Sequence, residues 1–180
     1  GFFMKKILRK KLKDKLNKIS SYQLLDNSSR AKYNIDQFLQ KKSYNKIGIY
    51  NSFKNEIIIH DIDLNKNISL YAPSYNSEEN SYHFRKVKKN LNTVGKFDIL
   101  EPTGKIIDIN LLDLILIPGL GFDKKGNRLG RGKGFYDDLL KNFKGTKIGV
   151  CHHFQLINEI PIESWDIKMN YICTEKKLLK

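Results

Sequence analysis

Residues 114–140 constrain this chain more than any other stretch, because they join a strand, a loop and a helix in close succession. The stretch opens with an unbroken apolar run, Leu114–Ile117, which is rich in β-branched residues and stops at Pro118. Such a run predicts a buried strand in the middle of a sheet. The stretch leads into an amphipathic helix, because apolar residues recur at helical spacing at Phe135, Tyr136, Leu139, Leu140 and Phe143.

The loop between that strand and helix is rich in glycine and in basic residues. Its glycines stand at positions 119, 121, 126, 130 and 132, with Gly134 at the start of the helix, and Arg128, Arg131 and Lys133 are interleaved with the last of them. Glycine allows backbone N–H groups to approach a phosphate, and basic side chains neutralise its charge. The loop therefore predicts a site for anionic oxygens; the alternative is a flexible surface hairpin with solubilising charges.

Two familiar phosphate-binding motifs do not match this loop. The Walker pattern needs Ser or Thr after its Gly-Lys pair, whereas Lys133 is followed by Gly134. The dinucleotide fingerprint needs a third glycine where this chain has Phe135. Neither motif therefore describes this loop.

Composition indicates a single globular domain with a basic surface. The chain has 180 residues, 40% of them hydrophobic, and a formal net charge of +14. That charge would suit a nucleic-acid-binding module, which is the rival interpretation. However, the excess is mainly lysine, it is scattered along the chain, and the glycine loop is poorly explained by nucleic-acid binding. Arginines are few, and two of the five, Arg128 and Arg131, lie in the loop, where a bidentate side chain is useful.

Features that address localisation favour the cytoplasm. No apolar run approaches the roughly 20 residues that span a bilayer, and the residues after Met4 are basic without the apolar segment of a secretory signal. We interpret residues 1–3 as an expression remnant. Cys151 and Cys173 are far apart and have no metal-type spacing, so we expect two buried thiols in a reducing compartment.

The order of predicted elements gives an α/β fold. Helices are predicted over residues 5–18 and 22–40, the second capped by the Ser20–Ser21 pair. Strands are predicted over residues 46–50, 68–72, 82–87 and 146–152, with a final strand within 166–175. Alternating strands and helices predict a three-layer α/β/α sandwich with a mostly parallel, mixed, Rossmann-like sheet and ligands at the carboxyl ends of its strands. Trp165 is expected in the core, and His152 and His153 are not obvious ligands.

The segment PGLGFDKKGNRLGRGKGFYD resembles the signature of the 5-formyltetrahydrofolate cyclo-ligase family, also called methenyltetrahydrofolate synthetases. The resemblance extends more loosely over residues 4–180, which are expected to form one cyclo-ligase domain. It implies ATP-dependent closure of 5-formyltetrahydrofolate to 5,10-methenyltetrahydrofolate, with release of ADP and phosphate, through a phosphorylated formyl (imidate) intermediate. The expected ligands are therefore a reduced folate, ATP and Mg²⁺, with no nucleic acid or membrane as partner and a monomer or weak dimer as the assembly.

The same resemblance implies which residues bind ATP and act in catalysis. In the family, a Lys and an Arg four residues apart on the first helix reach the ATP phosphates, and Lys5 and Arg9 have that spacing, with Lys6 as a substitute for Lys5. The alternative for these residues is a solvated basic face. Arg131, Lys133 and Tyr136 are the implied catalytic residues. The implied nucleotide-binding residues in the loop are Arg128, Leu129, Gly130, Arg131, Gly132, Lys133, Gly134, Phe135 and Tyr136.

Folate and metal positions follow from the resemblance too. Glu56 takes the place of an acidic residue that contacts the pterin, with Asn51 near it; otherwise Glu56 would be an ordinary helix-start glutamate. Folate is also expected to contact Arg131, Gly132, Lys133, Gly134 and Phe135. Asp137 is the implied magnesium ligand, although an acid there would also complement a helix dipole. Asn170 stands where the family has a second magnesium-binding Asp.

A further segment of the resemblance lies between the predicted third strand and the glycine loop. Residues 96–102 are similar to the family's Gly-x-x-Gly-Ile-x-Glu-Pro segment, with Asp98 where glycine is usual. Phe97 in this segment is expected either to stack on a flat heterocycle or to serve the core.

Overall fold

The computed structural model describes residues 2–87, 102 and 104–180. Two long helices come first, α1 (Phe2–Asn17) and α2 (Ser21–Gln40). The predicted cap of α2 is confirmed, because the Ser20 hydroxyl accepts a hydrogen bond from the Gln23 N–H at 3.1 Å. One face of α2 is buried through Ala31, Ile35 and Leu39, as the helical spacing of its apolar residues requires.

The sheet is built from strands that follow these helices. They are β1 (Lys46–Gly48), β2 (Ser69–Asn76), β3 (Ser81–Lys86), β4 (Ile106–Ile107), β5 (Leu114–Ile117), β8 (Thr146–Val150), β9 (Tyr171–Cys173) and β10 (Leu178–Leu179). A short hairpin, β6 (Gly121–Phe122) and β7 (Arg128–Leu129), lies apart from them. The third helix, α3 (Phe135–Leu140), follows the glycine loop and ends before Phe143, earlier than the apolar pattern predicted.

Strand order in the main sheet is β10-β9-β8-β5-β1-β2-β3-β4. The five central strands, β9 to β2 in that order, run parallel, and β10, β3 and β4 add antiparallel edges. This confirms the predicted mostly parallel, mixed sheet. The carboxyl ends of neighbouring parallel strands lie on the same side of the sheet. The loops after β1 and β5 meet there.

Alternate residues of β5 serve the two faces of the sheet, so the fold has the predicted three layers. Leu114 and Leu116 pack in the cluster that contains α2 residues, whereas Ile115 and Ile117 pack in the cluster that contains Leu140 of α3. All four are fully buried. A strand that is covered on both faces is expected to be apolar at every position, and the sequence of β5 has this pattern.

The hairpin formed by β6 and β7 is mostly buried, which excludes a flexible surface hairpin for this part of the glycine loop. It packs on α1 in a third cluster, made by Leu12, Leu16, Leu120, Leu129 and Ile160. The turn is held by the fully buried carboxylate of Asp123, which accepts hydrogen bonds from the backbone and side-chain amides of Asn127 and from the Ile160 N–H. Gly126 closes the turn with a φ of +87°, and a Cβ there would come within 2.5 Å of the Met169 carbonyl.

Two further expectations have different outcomes. Cys151 and Cys173 are both buried free thiols, as predicted. Trp165 is 69% exposed, so its assignment to the core was wrong. It lies in a turn that the Asp166 N–H closes on the Glu163 carbonyl, outside any strand or helix. Among the described residues, no helix combines the length and apolarity needed to traverse a bilayer.

Candidate active site

Several of the predicted site residues lie on the two loops that follow the carboxyl ends of β1 and β5. These strands are parallel neighbours, but the chain leaves them in opposite directions: β1 also pairs with β2, whereas β5 also pairs with β8. Such a switch point opens a crevice between the two outgoing loops, and ligands of open α/β sheets bind there. The loop after β1 carries Asn51 and Glu56, and the loop after β5 is the glycine loop.

Glu56 is a buried carboxylate, only 6% exposed, with both oxygens engaged. Its Oε1 accepts a hydrogen bond from the Phe53 N–H at 2.7 Å, and its Oε2 lies 3.5 Å from Nη2 of Arg131. Burial raises the pKa of Glu56, against the opposing effects of Arg131 and the Phe53 N–H. Since residues 52–56 form turns and no helix, the alternative of a helix-start glutamate does not apply.

Arg131 retains hydrogen-bonding capacity that the protein does not use. Its Nη2 is buried and has no hydrogen-bond partner among the described residues, since 3.5 Å exceeds the roughly 2.7–2.9 Å of a charged hydrogen bond. The guanidinium also lies 4.6 Å from the ring centroid of Phe53, which holds it by a cation–π contact. A buried guanidinium nitrogen that has an ion-pair neighbour but no hydrogen bond can donate to an anionic ligand.

The Arg128 side chain makes its contacts within the protein. Its Nε donates a hydrogen bond to the Pro118 carbonyl at 2.7 Å, and its guanidinium lies 5.0 Å from the ring centroid of Tyr136. Burial lowers the pKa of Arg128 and raises the pKa of Tyr136, so the phenol keeps its proton at neutral pH. Through these two contacts, Arg128 connects the start of the glycine loop, at Pro118, with its end, at Tyr136.

The exposed part of the glycine loop lies between Arg128 and the start of α3. Gly132 and Gly134 have φ values of +100° and +67°, a conformation that side chains rarely adopt, and both are exposed together with Lys133. A left-handed backbone with a free lysine beside it can wrap its N–H groups around a phosphate. This part of the prediction is consistent with the geometry.

Helix α1 brings Arg9 to the glycine loop but takes Lys5 elsewhere. The Nε of Arg9 donates a hydrogen bond to the Gly130 carbonyl at 2.9 Å, and a Cβ at Gly132 would lie 3.5 Å from its guanidinium. Lys5 forms an ion pair with Asp166 at 3.2 Å. Its substitute, Lys6, is exposed. Of the two predicted phosphate-binding residues on α1, the structure therefore brings only Arg9 into contact with the loop.

The two predicted magnesium ligands lie at opposite ends of the parallel strands, one near the carboxyl end and one near the amino end. Asp137 is half-buried in the first turn of α3, close enough to Arg128 to raise that residue's pKa. Asn170 precedes β9 at the amino edge, where its Oδ1 accepts a hydrogen bond from the Lys147 N–H at 2.8 Å. The structure therefore does not bring these two side chains together, and the assignment of both to one magnesium ion stays a prediction. Within the described part of the chain, no three His, Cys, Asp or Glu side chains form a metal cluster.

Aromatic residues line the β3 side of the crevice. The ring centroids of Tyr82 and Phe135 are 3.7 Å apart, and those of Phe135 and Tyr136 are 4.9 Å apart, both in edge-on arrangements. Phe97, which the sequence offered as a stacking residue, falls with residues 96–101 outside the described residues. Asn51 is half-buried between β1 and Glu56.

Sequence reasoning missed the residues that hold these loops in place. Phe53 contacts both Arg131 and Glu56, although nothing in its local pattern distinguishes it from a surface aromatic. His152 is fully buried and contacts the carbonyl before Glu56. Its only signal was a polar residue at the end of an apolar strand.

Comparisons with known proteins agree on one family. The model of the 5-formyltetrahydrofolate cyclo-ligase family matches residues 3–175. The mouse (Mus musculus) 5-formyltetrahydrofolate cyclo-ligase is 30% identical over 193 residues, which cover 95% of this chain and 93% of the relative. Two solved structures are similar. The Aquifex aeolicus 5,10-methenyltetrahydrofolate synthetase superposes with a TM-score of 0.84 at 32% identity, covering 98% of this chain and 92% of its own. The Mycoplasma pneumoniae 5,10-methenyltetrahydrofolate synthetase gives 0.76 at 25% identity, covering 95% and 98%.

Proposed function

Because the chain belongs to the 5-formyltetrahydrofolate cyclo-ligase family, a family of ligase enzymes, we propose that it closes 5-formyltetrahydrofolate to 5,10-methenyltetrahydrofolate at the expense of ATP. The observation that carries the proposal is the contact between Glu56 and Arg131. It places a buried carboxylate, suited to a pterin, directly beside a basic glycine loop, suited to phosphates. The reaction needs these two ligands side by side.

Glu56 is the pterin-binding group in this proposal. A pterin presents an amino group and a ring N–H as paired donors, and a carboxylate held at a fixed angle can accept from both. The Phe53 N–H fixes one oxygen of Glu56, and burial in a medium of low polarity strengthens each hydrogen bond that the carboxylate accepts. The Tyr82–Phe135 pair, in an edge-on arrangement, supplies aromatic surface on the β3 side of the same site.

The glycine loop is the phosphate-binding part. Arg131 has an unused buried donor, Lys133 is exposed on the left-handed backbone between Gly132 and Gly134, and Arg9 fixes the loop from α1. Phosphoryl transfer depends on positioning and on neutralising charge that spreads over the transferred group. Two cations from one loop supply that neutralisation without any covalent step by the protein.

The chemistry then proceeds through a phosphorylated formyl group. The formyl oxygen of the folate attacks the γ-phosphorus of ATP, the bond from that phosphorus to the bridging oxygen breaks, and ADP leaves. N10 next forms a bond to the activated formyl carbon and releases its proton, and the carbon–oxygen bond breaks to give inorganic phosphate. Tyr136 stays protonated because burial raises its pKa, so it acts as a hydrogen-bond donor and not as a base.

Magnesium fits the site through one protein carboxylate. Mg²⁺ commonly takes one or two carboxylates and fills its shell with water and phosphate oxygens, and Asp137 follows the phosphate loop directly. When bound there, the ion would neutralise the β- and γ-phosphates. A monomeric or weakly dimeric assembly and a cytoplasmic location stay predictions of the sequence.

One assay tests the proposed activity. Purified protein is mixed with 5-formyltetrahydrofolate, ATP and Mg²⁺, and the absorbance of the methenyl product is followed together with the release of ADP. We expect one ADP for each methenyl group formed, and no product when ATP is omitted. Absence of the chromophore from folded protein with all three ligands present would refute the proposal.

A further inference from the structure

The segment that carries Glu56 has no regular secondary structure, and hydrogen bonds to its surroundings hold it in place. Residues 51–59 contain turns only. Four hydrogen bonds tie the segment to its surroundings: Asn55 Nδ2 to the Leu16 carbonyl at 3.1 Å, His152 Nε2 to the Asn55 carbonyl at 2.8 Å, Tyr50 Oη to the Ile57 carbonyl at 2.8 Å, and the Ile58 N–H to Ser28 Oγ at 2.9 Å. The position of Glu56 thus depends on one local contact, from Tyr50, and on three contacts with residues that are remote in sequence.

Of these four hydrogen bonds, the one from His152 lies nearest to Glu56 along the chain. The carbonyl that it binds belongs to the peptide group joining Asn55 to Glu56, and the N–H of that same peptide group donates to the Phe53 carbonyl at 3.0 Å. Both ends of the peptide plane are therefore fixed. Asn55 itself has a φ of +62°, a left-handed conformation that a non-glycine residue adopts only when its surroundings stabilise it.

The hydrogen bonds around His152 specify one neutral form of its ring. A carbonyl only accepts, so Nε2 must carry the proton that goes to Asn55. Nδ1 is then an acceptor for Nδ2 of Asn27 at 2.9 Å, and the Asn27 amide is oriented by Gln23, whose Nε2 donates to Asn27 Oδ1. The ring also stacks on Phe154, with centroids 5.1 Å apart.

We propose that His152 is a positioning residue of the folate site, which holds the peptide before Glu56 so that the carboxylate meets the pterin. This inference rests on the proposed function, in which Glu56 binds the pterin. In this role, His152 contacts neither the proposed substrate-binding residues of the glycine loop nor a phosphate. The role also explains why a fully buried polar ring lies between the end of β8 and the loop after β1.

The electrostatic surroundings favour the neutral ring that this role requires. Burial lowers the pKa of His152, while the Asn55 carbonyl and Glu175, the charged group that faces it, act in the opposite direction. A charged ring would place an N–H donor on Nδ1 against the donor of Asn27. Because the folded pKa is lowered, this contribution to stability is complete above the unfolded pKa of about 6.5 and is lost as the pH falls through the folded value.

Amide exchange tests the positioning role without reference to activity. Two variants change the residue itself: His152→Ala removes the N–H donor, and His152→Gln restores one. The control is Asn34→Ala, which removes a hydrogen bond of similar kind, from α2 to the Thr174 carbonyl, away from the site. Exchange at the Phe53 and Glu56 amides should accelerate about tenfold in His152→Ala, the change expected for one lost hydrogen bond of about 1.4 kcal/mol, and recover in His152→Gln. A folded His152→Ala protein with unchanged exchange at both amides would overturn the proposal.

Steady-state kinetics provide a second test of the positioning role. His152→Ala should raise the KM for 5-formyltetrahydrofolate about tenfold and leave the KM for ATP within about twofold, whereas Asn34→Ala should change neither. Equal changes in both constants would indicate general loosening and contradict the role. If the wild-type protein shows no turnover, the proposed function fails, and amide exchange still decides whether His152 holds Glu56.

A measurement on the wild-type protein covers the case in which His152→Ala does not fold. In the nitrogen-15 spectrum of the histidine rings at pH 7, His152 should be neutral, with the proton on Nε2 and none on Nδ1. Observation of an unprotonated Nε2 would overturn the proposal, because the ring could then not donate to the Asn55 carbonyl.

Discussion

The Nη2 atom of Arg131 lies 3.5 Å from the Oε2 atom of Glu56, and this ion pair joins the loop after β5 to the loop after β1. Each residue has a second contact with Phe53, one through the ring and one through the backbone N–H. The proposed pterin-binding and phosphate-binding groups are therefore neighbours. In the proposed reaction, the pterin site at Glu56 and the phosphate site at Arg131 would be adjacent.

Replacing Glu56 by Gln should weaken folate binding selectively. The amide turns one acceptor into a donor that faces a donor of the pterin, which we expect to cost about 1.5–3 kcal/mol, or roughly 10- to 100-fold in affinity. Calorimetric titration with 5-formyltetrahydrofolate and, separately, with the nucleotide measures both affinities. Glu79→Gln, at an exposed glutamate on the turn after β2, is the matched control. Unchanged folate affinity in Glu56→Gln would remove Glu56 from the site.

Folate binding should also depend on pH through Glu56. Burial raises the pKa of this carboxyl, so the carboxylate that the pterin needs is lost at a higher pH than for an ordinary glutamate of about 4.3. The KM for folate should rise as the pH falls through that raised value. For stability the sign is opposite: a raised folded pKa favours the folded state at low pH and the benefit is lost as the pH rises. The Glu56→Gln variant should show a flatter KM profile; an identical profile would assign the titration to another group.

Removing cations from the glycine loop should slow turnover. Lys133→Ala takes away a charge next to the proposed phosphoryl group, and a loss of about 100-fold in kcat, roughly 3 kcal/mol, is expected if it resembles the loss of one oxyanion-hole donor. Arg131→Ala should do the same and also raise the KM for folate, since it leaves Glu56 unpaired. Lys124→Ala and Lys125→Ala, at the exposed tip of the same loop, are the controls. Wild-type turnover in the Arg131, Lys133 double variant would exclude a phosphate-binding loop.

Magnesium dependence separates the two accounts of Asp137. If Asp137 holds the ion, Asp137→Asn raises the Mg²⁺ concentration needed for half-maximal activity and lowers the maximal rate. Asp138→Asn, at the next position, where the carboxylate is exposed and paired with Lys141, should leave the titration unchanged. An Asp137→Asn protein that only melts earlier would instead support the helix-dipole account.

Asn170 provides a separate comparison in the same titration. Its side chain binds Lys147 at the amino edge of the sheet, away from the glycine loop. We therefore expect Asn170→Asp to leave the Mg²⁺ dependence unchanged. A variant that needs less Mg²⁺ would show that the two positions share an ion after all.

Local patterns determined the elements of this protein and the identity of its central loop. The run at β5 predicted a strand covered on both faces because all four of its residues are apolar, and the glycines and cations after it predicted an anion site because few other roles require that combination. The same segment identified the family, since its residues follow one another in sequence and need no knowledge of packing.

Tertiary structure decided which of the predicted site residues meet. Lys5 and Arg9 share a helix face by spacing, but only Arg9 reaches the loop, because the docking of α1 through Leu12 and Leu16 on the hairpin fixes how far along the helix the loop lies. Asp137 and Asn170 are both adjacent to elements of the sheet, yet strand direction puts them at opposite edges. The role of His152 depends on hydrogen bonds to α2 and to the loop after β1, and contacts between segments so distant in the chain leave no periodicity in the sequence.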